Sequence, residues 1–370
     1  MVKFLDLKKQ YEDIKDEIDL AIKSVINKSA FIGGEFVRSF EQNFAEYNNA
    51  KFCVGVGNGT DALEIAIEAL NLPKESEIIV PANSFIASSE CITRAGHKVV
   101  FCDCNEFNYT IDVDDITKRI TNKTRAIIVV HLYGHPADMD PLIAIAKKYN
   151  LQIIEDCAQA HGAEYKGKRV GTFGVVSTFS FYPGKNLGAY GDAGAIITNN
   201  DEIAKKARMI ANHGRIDKYN HEFVGRNSRL DGIQGAVLDV KLRHLNKWNS
   251  RRREVAELYR KGLKGCSLIV LPKKEEWATP VYHLFVIRIK NRDKIKEYLK
   301  ENNIETGVHY PISLSKLKAY EYIRAEQASF KADKLGDQLL SLPINELLTD
   351  IEVETVIKFL YSGLEKYCNE

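Results

Sequence analysis

The sequence predicts an α/β protein in which a large domain, with a mostly parallel sheet flanked by helices, precedes a smaller α+β domain. The chain has 370 residues, more than a single hydrophobic core usually organises. From residue 50, short apolar runs alternate with helical patterns, and after about residue 240 the pattern changes to a long charged helical region. We therefore expect two domains, residues 1–245 and residues 246–370.

The chain opens with a helical pattern. Apolar side chains recur at the spacing of one helix face, namely Tyr11, Ile14, Ile18, Ile22 and Val25. Most residues between them are charged or polar, so the pattern predicts an amphipathic helix over the first 25 residues.

Nearly continuous apolar runs predict buried strands in the central region. They cover residues 77–80, 98–101, 126–130, 152–154 and 195–198. Helical patterns lie between several of them; one begins near Ala62, and another covers residues 142–149 after the candidate caps Asp138 and Asp140. Strands that alternate with helices predict a parallel or mostly parallel sheet covered on both faces.

The C-terminal region predicts a charged helix over residues 241–263, a strand over residues 282–289 and a helix over residues 294–302. Arg251, Arg252 and Arg253 form the densest basic cluster of the chain. Because glutamates follow them, we interpret this run as the solvated face of the long helix.

Charge and composition exclude several classes of partner. The 52 basic and 50 acidic residues give a formal net charge of +2, whereas nucleic-acid binding requires a concentrated positive field. No apolar run is long enough to span a membrane, and the N-terminus lacks the apolar core of a signal peptide. We expect a cytoplasmic protein without a nucleic-acid or membrane partner.

The cysteines and histidines do not predict a metal site. The seven cysteines are odd in number and scattered, so they fit neither a disulfide framework nor a zinc knuckle. Cys102 and Cys104 lack further ligands at suitable spacing, and the strand and turn predicted between His131 and His135 spoil a helical metal pair.

Three segments lie where parallel strands are expected to end, the edge at which open α/β sheets bind ligands. The first covers residues 55–61 and precedes a predicted helix. Its glycines, including Gly57 and Gly59, allow the backbone to approach an anion, and the helix N-terminus offers free N–H groups. The alternative is a glycine-rich turn with Thr60 or Asp61 as the helix cap.

The second segment places Asp156 directly after an apolar strand. A buried carboxylate is costly unless it meets a cation or a hydrogen-bond donor, so this position indicates a partner. The alternative is a surface turn. We interpret the nearby His161 as a buried, hydrogen-bonded histidine rather than a base.

The third segment, residues 178–194, contains Lys185 among four glycines, a proline and several aromatic residues. A lysine in a partly desolvated pocket loses its proton readily and can form a Schiff base. The alternative is a solvated loop lysine. Together the three segments supply what pyridoxal phosphate requires: an amine, a carboxylate for the pyridine nitrogen and an anion cradle.

The order of these segments resembles that of fold-type-I pyridoxal-phosphate enzymes, whose fold is aspartate-aminotransferase-like. Over essentially its whole length, the chain resembles the DegT family of sugar aminotransferases. The segments that match the family are residues 4–7, 57–63, 81–85, 131–134, 155–159, 180–188 and 227–231. The resemblance implies a pyridoxal-phosphate-dependent aminotransferase with a nucleotide-linked keto sugar as amino acceptor and glutamate as donor.

The resemblance also assigns residues to the cofactor ring. It implies that Lys185 carries the cofactor, that Asp156 pairs with the ring nitrogen, that Gln159 bonds the ring hydroxyl and that Phe85 stacks on the ring. Histidine replaces this lysine in the dehydratase branch of the family, so Lys185 favours transamination.

For the phosphate, the resemblance implies Gly59, Thr60 and Ser180 of the same subunit. It further implies that Asn227 reaches the phosphate of the neighbouring subunit, which requires a homodimer with shared active sites.

For the sugar, the resemblance implies Tyr182, His309 and Tyr310. The sequence of residues 183–188 resembles that of family members that aminate the 3-position of dTDP-linked 3-keto-6-deoxyhexoses. Amination of a 4-keto sugar is the alternative within the family.

Two readings from other classes remain. A nicotinamide-dependent oxidoreductase would also use a glycine-rich turn, but Gly55, Gly57 and Gly59 do not have the G-x-G-x-x-G spacing. A catalytically silent regulatory relative would bind the cofactor as a sensor, and the presence of Lys185, Asp156 and Gln159 together argues against it.

Overall fold

A computed structural model of the protein describes residues 1–324 and 329–368. The strands are β1 (Phe52–Val56), β2 (Glu77–Pro81), β3 (Lys98–Cys102), β4 (Thr124–Val130), β5 (Gln152–Asp156), β6 (Glu164–Tyr165), β7 (Lys168–Arg169), β8 (Val176–Ser180), β9 (Gly194–Thr198), β10 (Ile269–Val270), β11 (Ala278–Thr279), β12 (Phe285–Ile289) and β13 (Leu339–Leu342). Short 3-10 helices cover Leu132–Gly134, Leu314–Lys316 and Lys318–Tyr320.

The α-helices cover most of the remaining chain. They are α1 (Leu7–Asp13), α2 (Lys15–Asn27), α3 (Gly34–Tyr47), α4 (Gly59–Ala69), α5 (Ala87–Arg94), α6 (Val113–Arg119), α7 (Met139–Tyr149), α8 (Asp201–Ile210), α9 (Gly232–Leu263), α10 (Arg292–Glu301), α11 (Glu321–Arg324), α12 (Ala332–Leu335) and α13 (Asp350–Cys368).

Seven strands form the central sheet in the order β1-β9-β8-β5-β4-β2-β3, and only β9 runs against the others. Successive side chains of a strand point to opposite faces, so each strand feeds two cores. In β2, Ile78 belongs to the core that α4, α5 and α8 cover, whereas Ile79 belongs to the core that α3, α7 and α9 cover. The predicted α/β fold with a mostly parallel sheet covered on both faces is confirmed.

A smaller antiparallel sheet, β10-β12-β13, packs with α10 and α13 around a core of its own. Val2 belongs to that core and pairs with Ile304, so the first residues of the chain contact the C-terminal region. Helix α9 runs without a break through residues 245 and 246. The two-domain boundary at that position stays a prediction.

Several predicted elements differ from the structure in their bounds. The N-terminal helix is divided at Ile14 into α1 and α2, α9 begins nine residues before the predicted helix start at Lys241, and β12 begins at Phe285 rather than at Tyr282. Seven strands were not among the predicted ones, namely β1 and β8 of the central sheet and the shorter β6, β7, β10, β11 and β13.

The arginine run on α9 requires a correction. Arg252 is not solvated: its side chain is 2% exposed and forms an ion pair with the equally buried Glu346, 3.0 Å away. Successive side chains of a helix point about 100° apart, so three consecutive residues cannot all lie on the solvated face, and here Arg252 faces the protein interior.

Within the described residues, no helix is both long and apolar enough to cross a lipid bilayer. All seven cysteines are free thiols.

Candidate active site

The predicted site residues lie at the carboxyl edge of the central sheet. Asp156 is the last residue of β5 and pairs with Val130 of β4 and Thr178 of β8, while Ser180 ends β8. The Asp156 side chain is buried, at 4% exposure, so the alternative of a surface turn is wrong.

Asp156 is held by hydrogen bonds that do not exhaust its acceptors. The Ser88 hydroxyl donates to Oδ2 at 2.7 Å, and the Ala158 N–H donates to Oδ1 at 3.1 Å. Ser88 lies on α5, and Ser84 contacts its hydroxyl at 2.7 Å. A carboxylate accepts at about four lone-pair positions, so Asp156 retains capacity for a further donor. Sequence reasoning missed Ser88, which carries no local signal.

Lys185 occupies a tight loop beside Asp156. Its backbone N–H donates to Tyr182 O at 2.8 Å, and a Cβ at Gly188 would lie 2.3 Å from Pro183 O, so the loop requires glycine there. Burial lowers the pKa of Lys185 to about 8, and the charge of Asp156 opposes that shift. The side chain is half-buried, so the alternative of a fully solvated loop lysine is wrong.

Three histidines surround this lysine. Burial lowers the pKa of His161 to about 3, that of His309 to about 4 and that of His283 well below its usual value, and the charge of Lys185 lowers each of them further. All three are therefore neutral at pH 7, which keeps additional positive charge away from Lys185. Sequence reasoning missed His283, whose Nδ1 lies 3.2 Å from Asn186 Oδ1.

His161 is buried, as predicted, at 0% exposure. Its ring nitrogens have no partner in strict hydrogen-bond geometry among the described residues, but a longer or bent hydrogen bond to the Ser180 backbone works to raise its pKa against the effect of burial. Its ring packs at 5.5 Å from Phe179 and 5.6 Å from Phe181.

The glycine-rich segment forms the start of α4. Asn58, rather than Thr60 or Asp61, caps the helix by accepting from the Asp61 N–H at 2.8 Å. A Cβ on Gly59 would lie 2.6 Å from Ser180 Cβ, so the absence of a side chain at residue 59 keeps this space open. The structure thus brings Gly59, Thr60 and Ser180 together at a helix N-terminus, a position that favours phosphate binding.

These groups fit pyridoxal phosphate. The α4 N-terminus and Ser180 offer donors for the phosphate, the buried Asp156 offers an anion for a protonated ring nitrogen, and Lys185 offers an amine with a lowered pKa. The cradle is shaped by Gly59, where any side chain would meet Ser180.

Gln159 connects the sheet edge to the C-terminal region. Its Oε1 accepts from the Tyr133 N–H at 2.7 Å, and its Nε2 donates to the Tyr310 hydroxyl at 3.1 Å. The Tyr310 ring lies 6.0 Å from that of Phe85, which is 54% exposed. Gln159, Tyr310 and Phe85 therefore lie next to one another.

His309 is held from two sides. Its Nδ1 lies 2.8 Å from Ser341 Oγ, and the Tyr133 hydroxyl donates to its backbone carbonyl. Tyr182, on the lysine loop, is 61% exposed. The sequence did not predict that Tyr133 bonds both Gln159 and His309, although Tyr133 lies in the segment 131–134 that resembles the family.

Asn227 is exposed, and its backbone pairs with Asn212 beyond the end of α8. Its neighbour Ser228 is buried and accepts from the Gly57 N–H at 3.0 Å. The structure therefore places Asn227 on the surface next to the glycine-rich segment of its own chain.

A second buried cluster could suggest a metal: ligand atoms of His131, Glu155 and Cys157 lie within 4.8 Å of one another. Its hydrogen bonds argue against that role. His131 Nδ1 accepts from the Ala137 N–H, so Nε2 carries the proton that meets Glu155 at 3.0 Å. Burial also raises the pKa of the Cys157 thiol well above its usual value, which disfavours the thiolate that metals bind.

Comparison with known proteins gives a family match along most of the chain. The model of the DegT/DnrJ/EryC1/StrS aminotransferase family matches residues 12–361. The chain is 43% identical over 366 residues to a dTDP-3-amino-3,4,6-trideoxy-alpha-D-glucose transaminase of Streptomyces venezuelae, covering 99% of this chain and 97% of the relative.

Two further relatives carry different descriptions. A dTDP-3-amino-3,6-dideoxy-alpha-D-galactopyranose transaminase of Aneurinibacillus thermoaerophilus is 45% identical over 359 residues, covering 97% of this chain and 98% of the relative. A pleiotropic regulatory protein of Geobacillus stearothermophilus is 42% identical over 360 residues, covering 96% and 97%.

Among solved structures, the S. venezuelae DesV protein in complex with a ketimine intermediate superposes with a TM-score of 0.94 at 41% identity. The match covers 100% of this chain and 99% of DesV.

Proposed function

The chain belongs to the DegT/DnrJ/EryC1/StrS aminotransferase family of pyridoxal-phosphate-dependent enzymes and is a nucleotide-sugar aminotransferase, and we propose that its acceptor is a dTDP-linked 3-keto-6-deoxyhexose. The product is the corresponding 3-amino sugar, and glutamate is the amino donor. The observation that carries this choice is the high identity, 43% and 45%, to two relatives described as dTDP-3-amino sugar transaminases.

The bound cofactor supplies an electron sink that makes a proton on the adjacent substrate carbon removable. Lys185 would hold the cofactor through Nζ, and the same amine would take up and return the proton of the substrate carbon. A pKa near 8 suits this work, because the amine is then a usable base close to neutral pH. The three histidines around Lys185 have lowered pKa values and are therefore weaker bases than the lysine.

Asp156 would hold a proton on the ring nitrogen of the bound cofactor. Its carboxylate is buried, fixed by Ser88 and Ala158, and still has acceptor capacity on the cofactor side. A charge-assisted hydrogen bond in such a water-poor position keeps the ring positively charged. Gln159 would orient the cofactor ring, and Phe85 would cover one face of it.

The sugar is proposed to lie between Tyr182, His309 and Tyr310. These residues come from two regions, the lysine loop and residues 309–310. Gln159 donates a hydrogen bond to Tyr310 of the second region. The hydrogen bond between Tyr133 and His309 fixes the position of the second region.

We also propose a homodimer in which Asn227 donates to the phosphate bound by the neighbouring subunit. The exposed position of Asn227 supports this role, because an exposed amide is available to another chain. The dimer is expected to be symmetric with isologous contacts. Light scattering that finds a fully active monomer would contradict the shared site.

The substrate proposal is tested with a panel of dTDP- and UDP-linked 3-keto and 4-keto sugars, glutamate serving as the donor. We expect the highest kcat/KM with a dTDP-linked 3-keto-6-deoxyhexose. A higher kcat/KM with a 4-keto sugar would replace this proposal by the 4-aminotransferase.

The similarity to a pleiotropic regulatory protein favours one second candidate, a silent cofactor-binding relative. An absorbance scan separates the two. A working aminotransferase loses its yellow colour when glutamate is added, whereas a silent binder remains yellow with every amino donor.

A further inference from the structure

The segment that carries Asn227 is attached on both sides to the glycine-rich segment and helix of its own chain. On one side, the Arg226 guanidinium forms ion pairs with Glu64 and Glu68 of α4. On the other side, Ser228 Oγ accepts from the Gly57 N–H at 3.0 Å. Residues 226 and 228 are thus both anchored, while Asn227 between them faces outward.

The backbone of this segment is fixed as well. The Arg226 N–H donates to Ile210 O at 2.8 Å, and the Ser228 N–H donates to Ala211 O at 2.9 Å, so the segment lies against the end of α8. In an extended backbone, successive side chains point in opposite directions. The Asn227 side chain therefore points away from those of Arg226 and Ser228. The anchored neighbours therefore determine the direction of the Asn227 side chain.

Two of the four anchoring side chains are buried, while those of Arg226 and Glu68 are 29% and 30% exposed. Ser228 is 2% exposed and Glu64 7% exposed. A Cβ on Gly57 would lie 3.2 Å from Ser228 Oγ, so the contact between the two segments is close even without a side chain there. Glu64 and Glu68 lie one turn apart on the helix that begins at Gly59, whose first turn forms the phosphate cradle.

We infer that Arg226 and Ser228 are positioning residues that present Asn227 to the phosphate site of the neighbouring subunit. Helix α4 thereby serves two sites: its first turn forms the cradle of its own subunit, and Glu64 with Glu68 holds the arm that completes the partner's cradle. This inference rests on the proposed function, in which Asn227 acts across the dimer.

Mixed dimers of the full-length chain test it. One chain keeps Lys185, and the other carries Lys185→Ala, so only the first chain can hold the cofactor covalently. Differently tagged chains are co-expressed and purified on both tags. The readout is the pyridoxal phosphate concentration that half-saturates Lys185, trapped with borohydride and measured by mass.

The decisive variant places Ser228→Ala on the Lys185→Ala chain. We expect the half-saturating concentration at the intact chain to rise about fivefold, the effect of losing one neutral hydrogen bond, although the substitution lies in the other chain. Arg226→Gln on the same chain should raise it at least as much. Ser76→Ala is the matched control, because Ser76 is similarly buried, its hydroxyl donates to Pro73 O and it precedes β2 at the opposite edge of the sheet.

Asn227→Ala on the Lys185→Ala chain separates the inference from its premise. If Asn227→Ala weakens loading and neither Ser228→Ala nor Arg226→Gln does, the positioning role is wrong and the shared site stands. If Asn227→Ala has no effect across the dimer, the shared site itself is wrong. An equal effect of Ser76→Ala, or an effect of Ser228→Ala only within its own chain, would also overturn the positioning role.

Discussion

Glu155 and Asp156 are adjacent buried carboxylates on β5, and the two faces of the sheet give them different surroundings. Glu155 accepts from His131 at 3.0 Å and from the backbone N–H groups of Gly171, Phe173 and Gly174 at 2.6 to 2.7 Å. Burial works to raise its pKa, but these donors outweigh burial and hold the pKa below its usual value. Within the described part of the chain, Asp156 accepts two hydrogen bonds, from Ser88 and from the Ala158 N–H.

Lys185 and Lys241 repeat this contrast. Burial lowers the pKa of each to about 8. Lys241 on α9 donates to Gly188 O at 2.8 Å and lies 4.3 Å from the centre of the Tyr190 ring. The Lys185 amine forms no hydrogen bond to any described residue. A lowered pKa alone therefore does not distinguish a catalytic lysine from a structural one. The distinguishing feature is an amine that still has free hydrogen-bonding capacity.

The largest effect is expected for the lysines. Lys185→Ala should lower turnover by on the order of a thousandfold or more, because the same amine binds the cofactor and transfers the proton. Lys241→Met, which replaces a buried charge by an apolar side chain of similar length, should keep turnover within about tenfold of wild type. Steady-state assays of both folded variants make the comparison. Equal losses would remove the distinction drawn between the two lysines.

Next in size is the stability effect of Glu155→Gln. Glutamine cannot accept all four donors, so the free energy of unfolding should fall by roughly 3 kcal/mol. Urea unfolding followed by circular dichroism provides the measurement. Asp156→Asn is the control, and it should change the free energy of unfolding by no more than about 1 kcal/mol. A larger loss for Asp156→Asn would show that Asp156 is the structural carboxylate.

The order of the two variants should reverse when catalytic rate is measured instead of stability. Asp156→Asn keeps the shape and removes the charge, so single-turnover conversion by glutamate should slow by on the order of a hundredfold. Glu155→Gln should stay within about threefold of wild type at a temperature where it is folded. A loss below about threefold in Asp156→Asn would mean that another group partners the ring nitrogen.

The smallest effect concerns pH. The neutral Lys185 amine binds the cofactor, and its pKa is lowered from 10.5 to about 8. Below this pKa the neutral fraction falls about tenfold per pH unit, so borohydride-trapped loading of Lys185 should rise up to pH 8 and then level off. Lys241→Met should leave this profile unchanged. A profile that rises until pH 10 would place Lys185 in a solvated environment.

Periodicity predicted most of the fold, because apolar runs and helical spacing are local properties of the chain. Strand β8 was missed because Ser177, Thr178 and Ser180 interrupt its apolar character; the Ser177 hydroxyl is buried and bonds Gly171 O, a contact that exists only after folding. Arg252 was misplaced for the same reason, since Glu346 lies 94 residues away in the sequence.

Local chemistry identified Lys185, Asp156 and the segment around Gly59, because a lysine among glycines, an aspartate after a strand and a glycine-rich helix start each stand out in their own segment. The remaining roles came from resemblance to a family. His309 and Tyr310 have no local signal, and the hydrogen bond from Gln159 to Tyr310 joins residues 151 positions apart.

The amino-acid order alone is sufficient for the alternation of strands and helices and for the chemical types gathered at the sheet edge, because both depend on neighbours in the chain. Folding gave Glu155 and Asp156 different partners, since a pleated strand sends adjacent side chains to opposite faces and distant parts of the chain then supply the hydrogen bonds. Folding likewise paired Ser88 with Asp156 and Ser228 with Gly57. Such pairs are absent from any local pattern, because each depends on where the sheet brings remote segments together.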